Sequence, residues 1–130
     1  MQYKGQLKGG VELVEVLDTV YSLLSTDATL TGLVAGIYHQ HAPAGGRLRY
    51  PFVVYSQLSD YPALTTDNAE RERRVTIRLH IVARQGQYAA VYARVHDLMI
   101  GAGFMRHYTN DIFDDGDFVR IVDYRIGVES

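Results

Sequence analysis

The sequence predicts an α+β domain: an antiparallel sheet of about four strands, packed on one side by two main helices plus a short helix. Three observations carry that expectation. Residues 11–24 and 88–100 place apolar side chains three and four positions apart, as helices with one buried face require. Residues 71–83 alternate Val75, Ile77, Leu79 and Ile81 with Thr76, Arg78, His80 and Val82, the pattern of a strand covered on one face. Asp114-Asp115-Gly116-Asp117 stands between two further strand-like runs, and an Asp-Gly pair in that setting is a strong hairpin signal.

The 130 residues fit a polar, glycine-rich arm at 1–10 followed by one domain over 11–130. A chain of this size buries enough surface to hold together without a disulfide or a metal. It has no cysteine, which removes thiolate chemistry and cysteine-rich zinc sites. The first residues lack a basic region, an apolar core and a small-residue cleavage site in succession, so no secretion signal is expected. No apolar run reaches the roughly 18 residues that a membrane span requires. Thirteen Lys and Arg against fifteen Asp and Glu give a net charge of −2, which does not suit a general polyanion binder. Lys4 and Lys8 are the only lysines, so arginine carries the basic charge of the domain, much of it within residues 71–84. The ten tyrosines serve a sheet equally well as an interface, since Tyr is favoured in both.

Taken in order, residues 11–24 turn 13, 14, 17, 20, 21 and 24 to one helical face and Glu12, Glu15, Asp18 and Ser22 to the other. Thr26 or Asp27 then caps a short helix over 28–34, with Leu30, Leu33 and Val34 turned inward and Gly36 as its C-cap. Ile37-Tyr38 begins a strand or an extended segment, and residues 41–49, with Pro43 and Gly45-Gly46, form an exposed loop. Pro51 lacks a ladder donor and belongs at a strand start, so 52–58 is a strand with Phe52, Val54 and Ser56 opposite Val53, Tyr55 and Gln57. Residues 60–70, polar and without periodicity, read as a protruding loop between paired strands. After the strand at 71–83, a helix buries Val91, Tyr92, Val95, Leu98 and Met99 and stops at Gly101 with Gly103. The closing hairpin pairs 104–113 with 118–128 and turns Phe118, Val122, Tyr124, Ile126 and Val128 to one face, with Arg120 as the exception.

Residues with chemical potential are few. His39 and His41 point the same way on an extended chain, but zinc needs three or four ligands and nothing nearby supplies the others. His80, His96 and His107 are scattered. The acidic group Asp111, Asp114, Asp115 and Asp117 lacks the spacing and terminal Glu of a calcium loop, and reads first as a solvated hairpin tip. Gly101-x-Gly103 follows a helix, the wrong end for anion binding. No nucleophile elbow and no RNA-binding strand is present. Glu70-Arg71-Glu72-Arg73-Arg74 has two open readings: a solvated strand entrance, or a patch that meets an acidic surface on a neighbour. The candidate subunit interface is therefore Tyr61, Arg71, Arg73 and Arg74 with Asp114, Asp115 and Asp117.

The series Leu23-Leu24, Ser25-Thr26-Asp27-Ala28-x-Leu30, Leu33-Val34-x-Gly36-x-Tyr38, Pro43 and Tyr50-Pro51-Phe52-Val53-Val54-Tyr55 resembles the phage tail-completion (tail terminator, head–tail joining) family. The charged strand and the Ala-rich helix at 88–103 complete the order, so the likeness runs over about 11–128. One position departs: family members carry Arg before the Ile-Tyr pair, and here Gly36 precedes Ile37. The resemblance implies a structural subunit that assembles with copies of itself as a ring, a hexamer, at the head-proximal end of the tail. It would contact the tail tube protein and the head connector protein, hold no cofactor and no metal, and let DNA pass through its lumen without specific binding. Another neck or minor capsid component has the same build, and a small metal-dependent enzyme or ligand-binding domain is the competing class.

Overall fold

A computed structural model of the chain describes residues 15–43, 48–66, 69–84, 86 and 88–129, excluding the side chains of 64–66 and 69–71. The expected arm at 1–10, the expected helix start at 11–14 and the Gly45-Gly46 pair lie outside the described residues. Three helices and five strands follow one another as α1 (Val16–Ser25), α2 (Ala28–Leu33), β1 (Gly36–His39), β2 (Phe52–Thr66), β3 (Ala69–Ala83), α3 (Tyr88–Gly101), β4 (Met105–Asp114) and β5 (Asp117–Glu129).

Local chemistry accounts for most boundaries. Asp27 caps α2, its carboxylate accepting the Leu30 N–H at 2.8 Å. The C-cap of α2 is Val34 rather than Gly36. Gly36 instead opens β1 beneath the Tyr38 ring, where a Cβ would collide with the phenol. At the end of α3 the Phe104 N–H reaches the Met99 carbonyl and the Gly103 N–H that of Ile100, both at 3.0 Å. That pair of bonds is a Schellman motif, and Gly103 occupies its left-handed position with φ 102°. Gly101 is simply the last helical residue. Asp115 and Gly116, with φ 50° and 84°, form the two-residue turn from β4 to β5.

The sheet has five strands in the order β1-β2-β3-β5-β4, and it is mixed. This corrects the expected four-stranded antiparallel sheet: Ile37-Tyr38 belongs to a true strand, and β1 runs parallel to β2 at one edge. Ala42, Leu48 and Tyr50, from the two described ends of the β1–β2 connection, pack on the face away from the helices. A second correction concerns residues 60–70. Pairing of β2 with β3 continues from Phe52↔Val82 out to Thr66↔Ala69, so the expected loop is a hairpin arm. Register shifts between Gln57 and Ser59, and on both sides of Leu64, absorb Pro62 and erase the strict alternation that would have revealed the strand.

One face of the sheet carries Val53, Tyr55, Val75, Ile77, Leu79, Ile81, Val122, Tyr124, Ile126 and Val128, packed against Val16, Val20, Leu24, Leu30, Val91, Val95 and Met99 of the helices. Burial in α1 centres on Val16, Val20 and Leu24, so its stripe is rotated from the expected one and Tyr21 is half exposed, its ring against Tyr55. Leu33 is likewise exposed at the end of α2. The opposite face is polar at its middle, but Phe52, Val54 and Val82 form a small second cluster with Tyr38, Leu48, Tyr50 and Val119 beneath the β1–β2 connection.

Candidate assembly interface

The strand register separates the two charged candidate groups. Arg73 and Arg74 pair with Val128 and Gly127 of β5, whereas Asp117 opens β5 and pairs with Asp114. Along β5, Asp117 to Gly127 spans roughly 33 Å at the usual rise of a strand. The basic group therefore marks one end of the sheet and the acidic turn the other. No bond between them is possible within one chain.

Part of each group is already engaged. Arg73 donates to the Asp60 carboxylate at 2.8 Å, across the β2–β3 arm. Asp117 accepts from Arg84 at 2.9 Å and from the Tyr50 hydroxyl at 3.3 Å, and the Arg84 guanidinium also lies 4.2 Å from the Tyr50 ring centre. Tyr61 is exposed and faces Arg74 across the β2–β3 pair. Arg74, Asp114 and Asp115 are exposed, and none of them has an ion pair among the described residues. Arg71 lies on β3, but its side chain is outside the described residues.

Several charged pairs escaped sequence reasoning because their members are far apart in the chain. On the face away from the helices, the row Ser56, Arg78, Asp123, Tyr108 crosses four strands. Arg78 holds Asp123 with two bonds of 2.8 and 2.9 Å. The hydrogen bonds that Arg78 donates to Asp123 keep its guanidinium even more firmly protonated than usual. Beside it, burial pushes the His80 pKa down, and the Arg78 charge adds to the effect. Arg94 clamps the capping Asp27 with bonds of 2.8 and 2.6 Å, and with the Leu30 N–H it lowers the Asp27 pKa to about 2. Arg120, the odd residue on the apolar face of β5, is accounted for by Asp111 at 2.8 Å and by the Tyr88 and Tyr92 rings at 5.0 and 4.8 Å. The buried Tyr124 hydroxyl bonds to His96 Nδ1 at 2.9 Å, and burial raises its pKa.

Strand β4 is exposed along all ten residues and forms the free edge opposite β1. Met105, Tyr108, Ile112 and Phe113 lie open on it, Met105 and Phe113 at 72% and 74% of their full exposure. Such an edge, without proline or lysine, is a template for association unless something covers it. At its first residues Arg74, Arg106, His107 and Arg125 line a cleft of about 340 Å³. Arg125 Nε is buried there without a hydrogen-bond partner among the described residues. His39 stacks on Tyr55 and is exposed, as is His41. Among the described residues no three His, Cys, Asp or Glu side chains gather as a metal site would need. Among the described residues no helix is long and apolar enough to cross a membrane.

Residues 18–129 match the family model of the tail completion protein gp17. The chain belongs to this family. Its role is thus that of a structural protein of phage tail completion, and the resemblance read from the short-helix and Tyr-Pro segments is borne out. Among solved structures, this tail completion protein is similar to a chain from the virion of a native gene transfer agent particle. The two are 19% identical with a TM-score of 0.67, over 85% of this chain and 92% of that one. It is also similar to the bacteriophage SPP1 gp17 protein, at 17% identity and a TM-score of 0.49 over 85% and 86% of the two chains. The first likeness concerns the fold alone, and the second is too distant to add to it. No curated protein sequence matches the chain.

Proposed function

We propose that this tail completion protein acts as a homo-oligomeric ring of six subunits at the head-proximal end of the tail, where it ends tube growth and allows head–tail joining. Its contacts are with copies of itself, with the tail tube protein and with the head connector protein. The observation that carries the ring is β4, a fully exposed ten-residue edge bearing Met105, Tyr108, Ile112 and Phe113. An edge of that length and character is stable in solution when covered by a neighbour. Charges of opposite sign at the two ends of the sheet favour a head-to-tail contact, which closes into a ring when each step includes a rotation. Tyr61, Arg71, Arg73 and Arg74 at one end and Asp114, Asp115 and Asp117 at the other are the interface candidates.

On this reading the subunit assembles in the host cytoplasm and has no catalytic step. Its net charge of −2 leaves passing DNA unbound, because tight binding needs clustered cations. Light scattering of the purified protein, with electron microscopy of the same sample, tests the proposal. The expected result is a ring of defined subunit number that restores head–tail joining to tails lacking the protein. A monomer at all concentrations that also fails to restore joining refutes it, and strong, salt-sensitive DNA retention refutes the passive lumen.

A further inference from the structure

The cleft where β4 begins is lined by three arginines and a histidine, Arg74, Arg106, Arg125 and His107, with no carboxylate among its lining residues. Arg106 also donates to the Tyr92 hydroxyl at 3.0 Å, and the Glu72 carboxylate stands at the margin, over Gly127. Arg125 Nε itself is buried without a hydrogen-bond partner among the described residues, as is Oγ1 of Thr76, the residue paired with it. Three guanidinium groups with no lining carboxylate leave the cleft unbalanced in charge in the lone subunit. We propose that it receives the Asp114–Asp115 turn of a second copy of the chain.

Charge and geometry select that occupant. Asp114 and Asp115 project from the far end of the same edge strand, exposed and without an ion pair among the described residues. The separation of roughly 33 Å forbids the contact in one chain, so it forms only between two copies. Arg73 and Asp117, engaged with Asp60 and Arg84, are secondary to it. The cleft is too small to track a duplex backbone, whereas the two carboxylates of a tight turn fit its cations. A stable interface buries about 1,000 Å² or more, and the exposed Met105, Tyr108, Ile112 and Phe113 between cleft and turn supply the apolar part. The inference rests on the ring reading and adds which surfaces meet.

The absence of cysteine makes a covalent test clean. In the Arg74→Cys, Asp114→Cys double variant the two thiols are too far apart to join within a chain, so oxidation is expected to give a ladder of covalent multimers. Each single variant stops at dimers. In a second test, Arg74→Glu removes the cleft's charge, and Asp114→Lys with Asp115→Asn removes the turn's charge while Asn keeps the positive φ. Each is expected to weaken self-association at least tenfold, with unchanged circular dichroism. Mixed, they should form a dimer and nothing larger, because one brings an intact turn and the other an intact cleft. Rings that persist in both charge variants, with no ladder, overturn the cleft–turn contact and leave the ring reading standing. A ladder from a chain that forms no stable ring keeps the contact and sinks the ring, and the absence of both sinks both. Duplex DNA held by the wild type and lost in an Arg74→Glu protein that keeps its ring assigns the cleft to nucleic acid and overturns the proposal.

Discussion

The bidentate pair at the centre of the solvent-facing sheet surface makes an asymmetric prediction. Asp123 keeps 4% of its side-chain exposure and Arg78 keeps 31%. Deleting the acid leaves a guanidinium that recovers part of its hydration. Deleting the base leaves a carboxylate that recovers almost none. Two charge-assisted bonds are lost in either case. The cost is about 2 kcal/mol for Asp123→Ala and about 3–4 kcal/mol for Arg78→Ala, the latter in the range for an uncompensated buried charge. At about 3–5 °C per kcal/mol for a chain of this size, the melting temperature falls by about 6–10 °C and about 9–20 °C respectively. Replacing both partners, Arg78→Met with Asp123→Leu, removes the desolvation cost together with the bonds and should return to within about 1 kcal/mol of wild type. Urea unfolding at one fixed protomer concentration measures all four proteins, and an Arg78→Ala, Asp123→Ala double variant closes the double-mutant cycle. An acid deletion as costly as the base deletion, or a double variant as unstable as the sum, refutes the burial argument.

Asp27 gives a pH prediction. Its folded pKa of about 2 lies below the ordinary 3.8, so its contribution is complete above 3.8 and disappears as pH falls toward 2. Asp27→Asn keeps the cap but not the charge, and its stability should fall less steeply than wild type between those values in acid-dependent unfolding. The two glycines after α3 should respond oppositely to alanine. Gly101 is helical with open space around it, so Gly101→Ala is expected to stabilise by about 0.5–1 kcal/mol. Gly103→Ala meets only an ordinary contact with Ile126, but its φ of 102° should make it cost about 1–2 kcal/mol by thermal melting. Phe113→Lys on the exposed edge should change stability by less than about 0.5 kcal/mol while reducing self-association in sedimentation.

The sequence revealed those elements whose signals are local. The α3 stripe, the β3 alternation, the Asp27 cap and the Asp115-Gly116 turn all appear at or near their expected places. Elements defined by distant partners were less visible. β1 is four residues long and owes its place to the parallel ladder with β2, so Ile37-Tyr38 alone could not announce a fifth strand. The outer half of the β2–β3 arm has polar residues on bulged strands, and there the backbone ladder supplies the order that hydrophobic alternation lacks. In α1 the expected face included Tyr21, whose ring reaches over to Tyr55 from a half-exposed position.

The candidate interface was legible in kind but not in membership. A run such as Glu70-Arg71-Glu72-Arg73-Arg74 shows that cations gather on one strand, yet not which of them are neutralised across the arm. Asp60 takes Arg73, and Arg84 takes Asp117, by contacts that depend on register. Register also brings in what the sequence hid. Arg125 lies two positions from Gly127, the residue opposite Arg74, and it pairs directly with Met105 at the start of β4. A basic cleft thus arises from three strands, of which only β3 shows a gathering of cations in the sequence. The same ladder places the acidic turn at the other end of β4, an edge strand with no partner on its outer side among the described residues. A subunit with net charge −2 is therefore electrically polarised along its open edge. That polarity admits two arrangements, which differ in whether they propagate. A symmetric antiparallel pairing of two β4 edges would set each turn near its partner's cleft at both ends and stop at a dimer. A parallel, staggered contact uses one cleft and one turn per interface and leaves the others for the next subunit. Only the second arrangement propagates, as the proposed ring requires.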